Sequence, residues 1–207
     1  MIQQRLNGAG GDFYHPGSDN MYLNYDDCST SSVAQNINNA GSGKVNIIYG
    51  DCNPSSVAYS VYSFGSGDIY LTFGDTSSME VPSNSNTGNK WAQNIYNQGS
   101  GNLYIKYRNC SSSTSVLAQN LYNQGSGDLD VDYGTSSSSN SRMAQNVYNR
   151  GSGEIRIVYG NCSALNPVRT VKIAGSGDVI ITYANCKYKT PQIDNPGSGK
   201  VTVHCKQ

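Results

Sequence analysis

Apolar and polar residues alternate strictly in eight short segments of the chain, and each segment follows a Gly-Ser-Gly tripeptide or its degenerate first copy. The fourth, sixth and eighth residues after the first glycine form these triplets: Met21-Leu23-Tyr25, Val45-Ile47-Tyr49, Ile69-Leu71-Phe73, Leu103-Ile105-Tyr107, Leu129-Val131-Tyr133, Ile155-Ile157-Tyr159, Val179-Ile181-Tyr183 and Val201-Val203-Cys205. A period of two predicts a β-strand with one buried face. The polar residues between them, such as Lys44 and Arg156, are expected to face solvent.

A second, shorter strand is predicted before each tripeptide, around one apolar position. That position holds Phe13, Ile37, Val61, Ile95, Leu121, Val147, Val171 and Ile193. The residue before it is Asn, Asp, Ser or Thr in seven of the eight copies, and stacked copies are expected to form a hydrogen-bonded ladder. The glycines of the tripeptide are expected to supply positive φ angles at the turn.

The tripeptide recurs at intervals of 22 to 34 residues, and such a period indicates a repeat array. We therefore predict an all-β fold, a repeat β-solenoid that forms one domain over residues 1–207. The favoured architecture is a parallel β-helix of about eight coils. An array of β-hairpins with Gly-Ser-Gly in the turns satisfies the same alternation and remains open. A loop insertion is predicted near residues 75–90, and Trp91 then takes the position that Val57, Leu117 and Met143 hold in other copies.

Five of the six cysteines lie eleven residues after the first glycine of their repeat. In a β-helix, equivalent positions of adjacent coils are one strand spacing apart, which suits the Cα separation of a disulfide. The predicted staples are Cys28–Cys52 and Cys162–Cys186. For Cys110 and Cys205 three alternatives stay open: free thiols, pairing between chains, or Cys205 in place of Cys162 as the partner of Cys186.

Composition and charge narrow the class of protein. Lys plus Arg equals Asp plus Glu at 14 each, which argues against nucleic-acid binding and against a polybasic membrane-surface protein. No apolar run approaches the roughly 18 residues that a membrane span needs. Six cysteines and the sequons at Asn109 and Asn161, candidate glycosylation sites, predict a secreted protein, extracellular or associated with a cell wall or surface. The start of the chain lacks an apolar signal segment, which we interpret as removal of a signal peptide.

The pattern Gly-Ser-Gly-Asp followed by Val, Ile or Leu occurs at Gly65–Ile69, Gly125–Leu129 and Gly175–Val179. It resembles the repeats of autotransporter-adhesin head GIN domains. The resemblance covers the turn and the following strand of each unit, about a third of the chain. It implies a secreted or surface-exposed β-solenoid, and no catalytic residue is carried over with it.

Tyrosines supply the strongest candidate binding surface. Five of them stand three residues before a first glycine, and three more fall on the solvent face of the other strand. The candidate binding residues are Tyr14, Tyr62, Tyr96, Tyr122 and Tyr148 in the first set, and Tyr22, Tyr70 and Tyr104 in the second. A flat stripe of rings is suited to lie against sugar rings while the hydroxyls form hydrogen bonds. The alternative is that the tyrosines stack on one another for stability alone.

Carboxylates at Asp128, Asp130 and Asp132, with Glu154 in the next repeat, give a second candidate cluster. They suit Ca²⁺ binding or a glycosidase acid pair. We favour a cross-strand charge ladder with Lys106 and Arg156. The two histidines, His15 and His204, lie at opposite ends of the chain, which argues against a histidine metal site or catalytic triad.

The predicted function is non-enzymatic. We expect a secreted or cell-surface solenoid that binds a glycan, a cell wall or another surface through stacked Tyr, Asn and Ser side chains. The alternatives are a secreted effector or self-associating structural coat protein, and third a polysaccharide lyase or hydrolase. No catalytic residue, metal site or cofactor is predicted, and the expected partners are a polysaccharide or cell-surface glycan and a second copy of the chain.

Overall fold

A computed structural model describes residues 2–3, 11–25, 34–50, 56–75, 90–109, 116–134, 142–160, 168–184 and 190–205. Sheet A contains nine strands: β1 (Ile2–Gln3), β3 (Met21–Tyr25), β5 (Val45–Tyr49), β8 (Ile69–Asp75), β11 (Leu103–Asn109), β14 (Leu129–Asp132), β17 (Ile155–Tyr159), β19 (Val179–Tyr183) and β21 (Val201–Cys205). Sheet B contains eight: β2 (Phe13–His15), β4 (Asn36–Asn39), β7 (Ser60–Ser63), β10 (Asn94–Asn97), β13 (Asn120–Asn123), β16 (Asn146–Asn149), β18 (Thr170–Ile173) and β20 (Gln192–Asp194). Sheet C contains β6 (Ser56–Val57), β9 (Lys90–Trp91), β12 (Val116–Leu117) and β15 (Arg142–Met143).

Each strand pairs in parallel with the equivalent strand of the next repeat. Leu103 of β11, for example, lies between Ile69 and Leu129, and Ile95 of β10 lies between Val61 and Leu121. A hairpin array would pair its strands antiparallel, so the parallel β-solenoid is confirmed and the hairpin alternative is wrong. No helix occurs in the described segments, so they contain no helix that could cross a membrane.

The prediction of eight equivalent coils is too high, because the structure supports about six turns. The apolar positions are enclosed from the repeat that contains Ile37 to the repeat that contains Val171. At the carboxyl end, Ile193 is 46% exposed and Val203 is 37% exposed, although both occupy positions that are buried elsewhere. The strands of this last copy have a sheet partner on one side only, so the last copy acts as an end layer.

An aromatic column fills the core along the solenoid axis. Its members are Tyr25, Tyr49, Phe73, Tyr107, Tyr133, Tyr159 and Tyr183, and neighbouring ring centroids are 4.9 to 5.5 Å apart. The Tyr133 hydroxyl donates to the carbonyl oxygens of Leu117 (3.2 Å) and Ala118 (3.1 Å). The Tyr159 hydroxyl likewise donates to the carbonyl of Met143 at 3.1 Å. The column therefore joins sheet A to the corner at sheet C while it buries the rings.

A second internal column is polar. Asn39, Ser63, Asn97, Asn123 and Asn149 are fully buried at the ends of the sheet B strands. Asn149 Nδ2 donates to the carbonyls of Gly153 (2.9 Å) and Asp178 (3.2 Å), and its Oδ1 accepts from the amide of Gly151 (3.2 Å). These bonds link the buried side chain to backbone groups of the Gly-Ser-Gly turn and of the residue that follows the turn.

The turn glycines are required for close packing rather than for positive φ. Among described residues the only glycine with positive φ is Gly134, at 55°, so the expectation for the tripeptide is wrong. A Cβ at Gly125 would overlap the carbonyl oxygen of Gly99 in the preceding repeat, and a Cβ at Gly151 would overlap that of Gly125. The tripeptide lets the turns of successive coils stack in backbone contact.

Positive φ occurs instead at alanines. Ala58, Ala92, Ala118 and Ala144 have φ between 40° and 45° at the corner between sheets C and B. All four are fully buried. Glycine would adopt this conformation more readily, but it would leave the corner of the core without a methyl group. Alanine is the smallest residue that fills the space.

Several predicted features fall outside the described residues. Residues 76–89, most of the predicted insertion near 75–90, are among them. Strand β9 follows in register, with Trp91 between Val57 and Leu117 as expected. The staple cysteines Cys28, Cys52, Cys162 and Cys186 lie outside, as do Cys110 and the sequon at Asn161, while only the backbone of Asn109 is described. Cys205 is disulfide-bonded, which excludes the free-thiol alternative for that residue.

Candidate functional site

The outward side of sheet B carries a column of tyrosines. Tyr62, Tyr96, Tyr122 and Tyr148 are in register, with ring centroids 4.9, 4.9 and 5.0 Å apart and planes within 6° of parallel. The Phe64 ring stacks against Tyr62 at 5.8 Å, at one end of the column. The structure thus brings four of the five tyrosines of the first candidate set into one continuous stack.

The other candidate tyrosines are divided. Asn38 separates Tyr14 from the stack, and Tyr14 is 59% exposed. On the outward side of sheet A, Tyr70 and Tyr104 stack with centroids 4.8 Å apart. Tyr22 belongs to the same column, but Asn46 lies between Tyr22 and Tyr70.

Stacking determines which parts of the rings a ligand can reach. Tyr96 and Tyr122 each have a neighbouring ring on both faces, so only their edges and hydroxyls face outward. Sugar rings therefore cannot lie flat on these two residues, in contrast to the expectation from sequence. Burial raises the pKa of both phenols, and neighbouring phenols raise it further. The hydroxyls consequently remain protonated at neutral pH and act as donors and acceptors.

An amide column runs beside the tyrosines, two residues earlier on each strand. Asn120 Nδ2 donates to Asn94 Oδ1 at 2.7 Å, and Asn146 Nδ2 donates to Asn120 Oδ1 at 2.8 Å. The predicted hydrogen-bonded ladder is therefore confirmed at these positions. Each amide nitrogen has a second N–H that the ladder does not use. We call the four stacked tyrosines together with Asn94, Asn120 and Asn146 the Tyr-Asn face.

Sheet A carries a depression of about 380 Å³ on its outward side. Its polar and aromatic lining includes Tyr70, Tyr104, Lys106, Asp130, Asp132 and Arg156. Residues Tyr104, Asp130 and Arg156 occupy one column on successive strands, while Lys106 and Asp132 are neighbours in the adjacent column. We call this depression the sheet A groove.

The acidic cluster is organised by Arg156. Its guanidinium contacts Glu154 and lies 3.7 Å from an Asp130 oxygen. Asp128 Oδ1 accepts from the backbone amide of Glu154 at 2.8 Å. Within the described residues, no three His, Cys, Asp or Glu side chains are placed to hold a metal ion. The arrangement has the pattern of the cross-strand charge ladder.

Asp130 is half-buried, and the pKa of its carboxyl is raised from its ordinary value. Burial is the main cause, Arg156 opposes it, and the charges of Asp128 and Glu154 add to it. The folded state therefore holds this proton more tightly than the unfolded state does. Ionisation of Asp130 lowers stability as the pH rises from the unfolded pKa through the folded pKa.

We expect Asp130→Asn to be more stable than the parent at neutral pH, by up to about 0.5 kcal/mol. The advantage should shrink below the ordinary pKa of aspartate, about 4, because the parent carboxyl is then protonated as well. Thermal denaturation at neutral and acidic pH measures the difference. A variant less stable than the parent at neutral pH would show that the Arg156 ion pair outweighs burial.

The predicted binding tyrosines thus divide between two surfaces of different shape, a flat face on sheet B and a groove on sheet A. The sequence pattern identified the tyrosines of both surfaces, but it did not show that the groove joins Tyr104 to Asp130 and Lys106. The resemblance to head GIN domains stays a prediction. Comparison with known proteins found no matching family model, no matching curated protein and no matching solved structure.

Proposed function

We propose that this protein is a non-enzymatic, secreted or cell-surface solenoid that binds an extended glycan, such as a cell-wall polysaccharide, through the Tyr-Asn face. The observation that carries the proposal is the pair of parallel outward columns on sheet B, with phenols on four successive strands and amides on three of them. The predicted cysteine staples, Cys28–Cys52 and Cys162–Cys186, belong to the same proposal.

The geometry favours a long, neutral ligand. Both columns run along the solenoid axis and repeat at the strand spacing of about 4.8 Å. Phenol hydroxyls and amides supply donors and acceptors without charge, which suits a ligand that is rich in hydroxyls. The first charged side chain in the tyrosine column is Lys172, and it is paired with Asp194 at 2.8 Å. A polysaccharide chain that lies along the columns would meet the same pair of groups at three successive coils.

The carboxylates support a binding role over hydrolysis. Asp130 and Glu154 both lie beside Arg156, so the two carboxylates share one cation. A glycosidase needs two carboxyls on opposite sides of a scissile bond. Here the described acidic side chains lie along one sheet surface with Arg156 between them.

Removing the hydroxyls of the two central tyrosines tests this proposal. We expect the double variant Tyr96→Phe with Tyr122→Phe to lose at least about fivefold in affinity, since each hydrogen bond contributes about 0.5–1.5 kcal/mol. The rings and their stacking remain, so the melting temperature should stay near that of the parent. Retention on insoluble chitin, cellulose and pectin gives the affinity, and released sugar is assayed in the same incubation.

Tyr22→Phe is the matched control, because it removes one hydroxyl from the outward side of the opposite sheet, where Asn46 separates Tyr22 from Tyr70 and the groove. It should bind polysaccharide like the parent. Equal retention of parent and double variant would contradict the role of the Tyr-Asn face. Released sugar would contradict the non-enzymatic assignment.

Self-association is the second candidate, and the carboxyl end of the solenoid favours it. Ile193 and Val203 expose apolar surface there, on strands that have a sheet partner on one side only. Such an edge is a template for pairing with another strand. Light scattering over a range of protein concentrations separates this candidate from a monomeric binding module.

A further inference from the structure

The outward column of sheet A changes from rings to short side chains at one point, and the groove begins there. Tyr104 stacks on Tyr70 with planes 10° from parallel, so one face of the Tyr104 ring is covered. The next residue in the column is Asp130, which has no ring. The other face of Tyr104 therefore borders a layer in which a third ring would stack, and the groove occupies that layer.

The opposite end of this tyrosine pair is already occupied. Lys44 Nζ lies 5.9 Å from the centroid of the Tyr70 ring and forms an ion pair with Asp68 at 3.4 Å. The Tyr70 hydroxyl donates to Asp68 at 3.2 Å. These contacts hold the pair in place, so Tyr104 presents its open face as a fixed platform.

The surface of the groove is mainly apolar, and charged side chains of both signs border it, which suits a neutral ligand with an apolar face and a few hydroxyls. Lys106 and Arg156 contribute two positive charges, and Asp130 and Asp132 contribute two negative charges. Asp130 Oδ1 is buried and has no hydrogen-bond partner among the described residues. The volume of about 380 Å³ falls within the range of small-molecule sites, about 300–1,000 Å³.

We propose that the sheet A groove binds one pyranose ring of a neutral sugar, stacked on the open face of Tyr104 in the layer above Asp130. Ring hydroxyls donate to the Asp130 and Asp132 carboxylates and accept from Lys106. Apolar C–H groups on the sugar face meet the tyrosine ring, as aromatic residues in carbohydrate sites allow. The inference takes its ligand class from the proposed function, but it assigns a separate site on the other sheet.

The test places a third aromatic ring in the layer next to Tyr104. In Asp130→Tyr the aromatic column continues from Tyr104, and the new ring takes the place of the sugar. Triacetylchitotriose, cellotriose and xylotriose, all uncharged, are titrated into the parent and the variant while the amide resonances of Tyr104, Lys106 and Asp132 are followed by NMR. We expect the parent to bind at least one of the three, and Asp130→Tyr to bind it at least tenfold more weakly.

Asn46→Tyr is the matched control. It introduces the same side chain in the same column, but beyond Tyr70 rather than beyond Tyr104. It should bind the trisaccharide like the parent. If Asp130→Tyr fails to fold, Tyr104→Ala and Tyr104→Phe test the proposal instead. Tyr104→Ala removes the ring on which the sugar stacks and should weaken binding, whereas Tyr104→Phe keeps the ring and should bind like the parent.

The proposal is overturned if the parent binds none of the trisaccharides, or if Asp130→Tyr or Tyr104→Ala binds as tightly as the parent. The Tyr96→Phe, Tyr122→Phe variant separates the two sites. It should keep trisaccharide binding at the groove resonances even though it loses retention on insoluble polysaccharide. Retention that survives in that variant but fails in Asp130→Tyr would refute the Tyr-Asn face and support the groove.

Discussion

Replacing Asn149 with aspartate is expected to lower the free energy of unfolding at neutral pH by about 3–5 kcal/mol. The side chain is fully buried, and its amide nitrogen donates to two carbonyl oxygens, those of Gly153 and Asp178. A carboxylate at this position would face both oxygens without a proton to donate. An uncompensated charge would then be enclosed where the backbone supplies a single donor, the amide of Gly151.

The penalty should depend on pH, with a defined sign. Burial raises the pKa of an enclosed carboxyl, so the folded variant binds a proton more tightly than the unfolded chain does. Its stability should therefore rise as the pH falls through the folded-state pKa, because the protonated acid is neutral and can donate one hydrogen bond. Urea denaturation of parent and variant between neutral pH and about pH 4 measures this trend.

Asn149→Leu is the control for charge. It removes the same hydrogen bonds without adding an ion and should cost about 1–3 kcal/mol at every pH in the series. The column itself shows that an apolar residue can be accommodated, since Ile173 occupies the equivalent position in the next repeat. Equal losses for the two variants, independent of pH, would contradict the buried-charge account.

Parity along the sequence was enough to predict the strands of sheets A and B, except for β1 at the edge of sheet A. Each apolar triplet forms a strand whose side chains point inward at the expected positions, and the repeat unit sets the register between coils. The internal asparagine column was missed, although the same rule could have found it. Ile95 points inward, so Asn97, two residues later, must point inward as well.

The remaining errors concern contacts between coils, which a single repeat does not display. Gly125 is glycine because the preceding turn passes within contact of its Cα, whereas Ala118 carries the left-handed φ of 40°. The tyrosines of sheet B were expected to offer their ring faces. A spacing of one strand between coils is also the thickness of a ring stack, so neighbouring rings cover those faces.

The same spacing explains the position of the groove on sheet A. In a column of stacked rings, each ring covers the faces of its neighbours. A ring face is left open for a ligand where the next residue in the column has a smaller side chain. The step from Tyr104 to Asp130 is such a point on sheet A. Differences between repeats, rather than the consensus of the repeats, therefore locate the proposed sugar site.

Tyr133→Ala is expected to be as costly as the buried charge, with a loss of about 3–5 kcal/mol. The ring lies between Tyr107 and Tyr159 in the internal column, at centroid distances of 5.5 and 5.1 Å. Its removal leaves a cavity that these neighbours cannot fill, because each is held by the backbone ladder of its own coil. The carbonyls of Leu117 and Ala118 also lose a donor. Chemical denaturation followed by far-ultraviolet circular dichroism gives the change in stability.

Two further variants divide that loss into its parts. Tyr133→Phe keeps the ring and removes the hydroxyl, so it should cost about 0.5–1.5 kcal/mol, as Phe73 in the same column indicates. Tyr122→Ala removes a ring that also has two stacked neighbours but stands on the outward side of sheet B. If burial in the column stabilises the solenoid, Tyr122→Ala should cost less than half as much as Tyr133→Ala. Equal losses of stability would mean that ring stacking, rather than burial in the core, accounts for the contribution of these tyrosines.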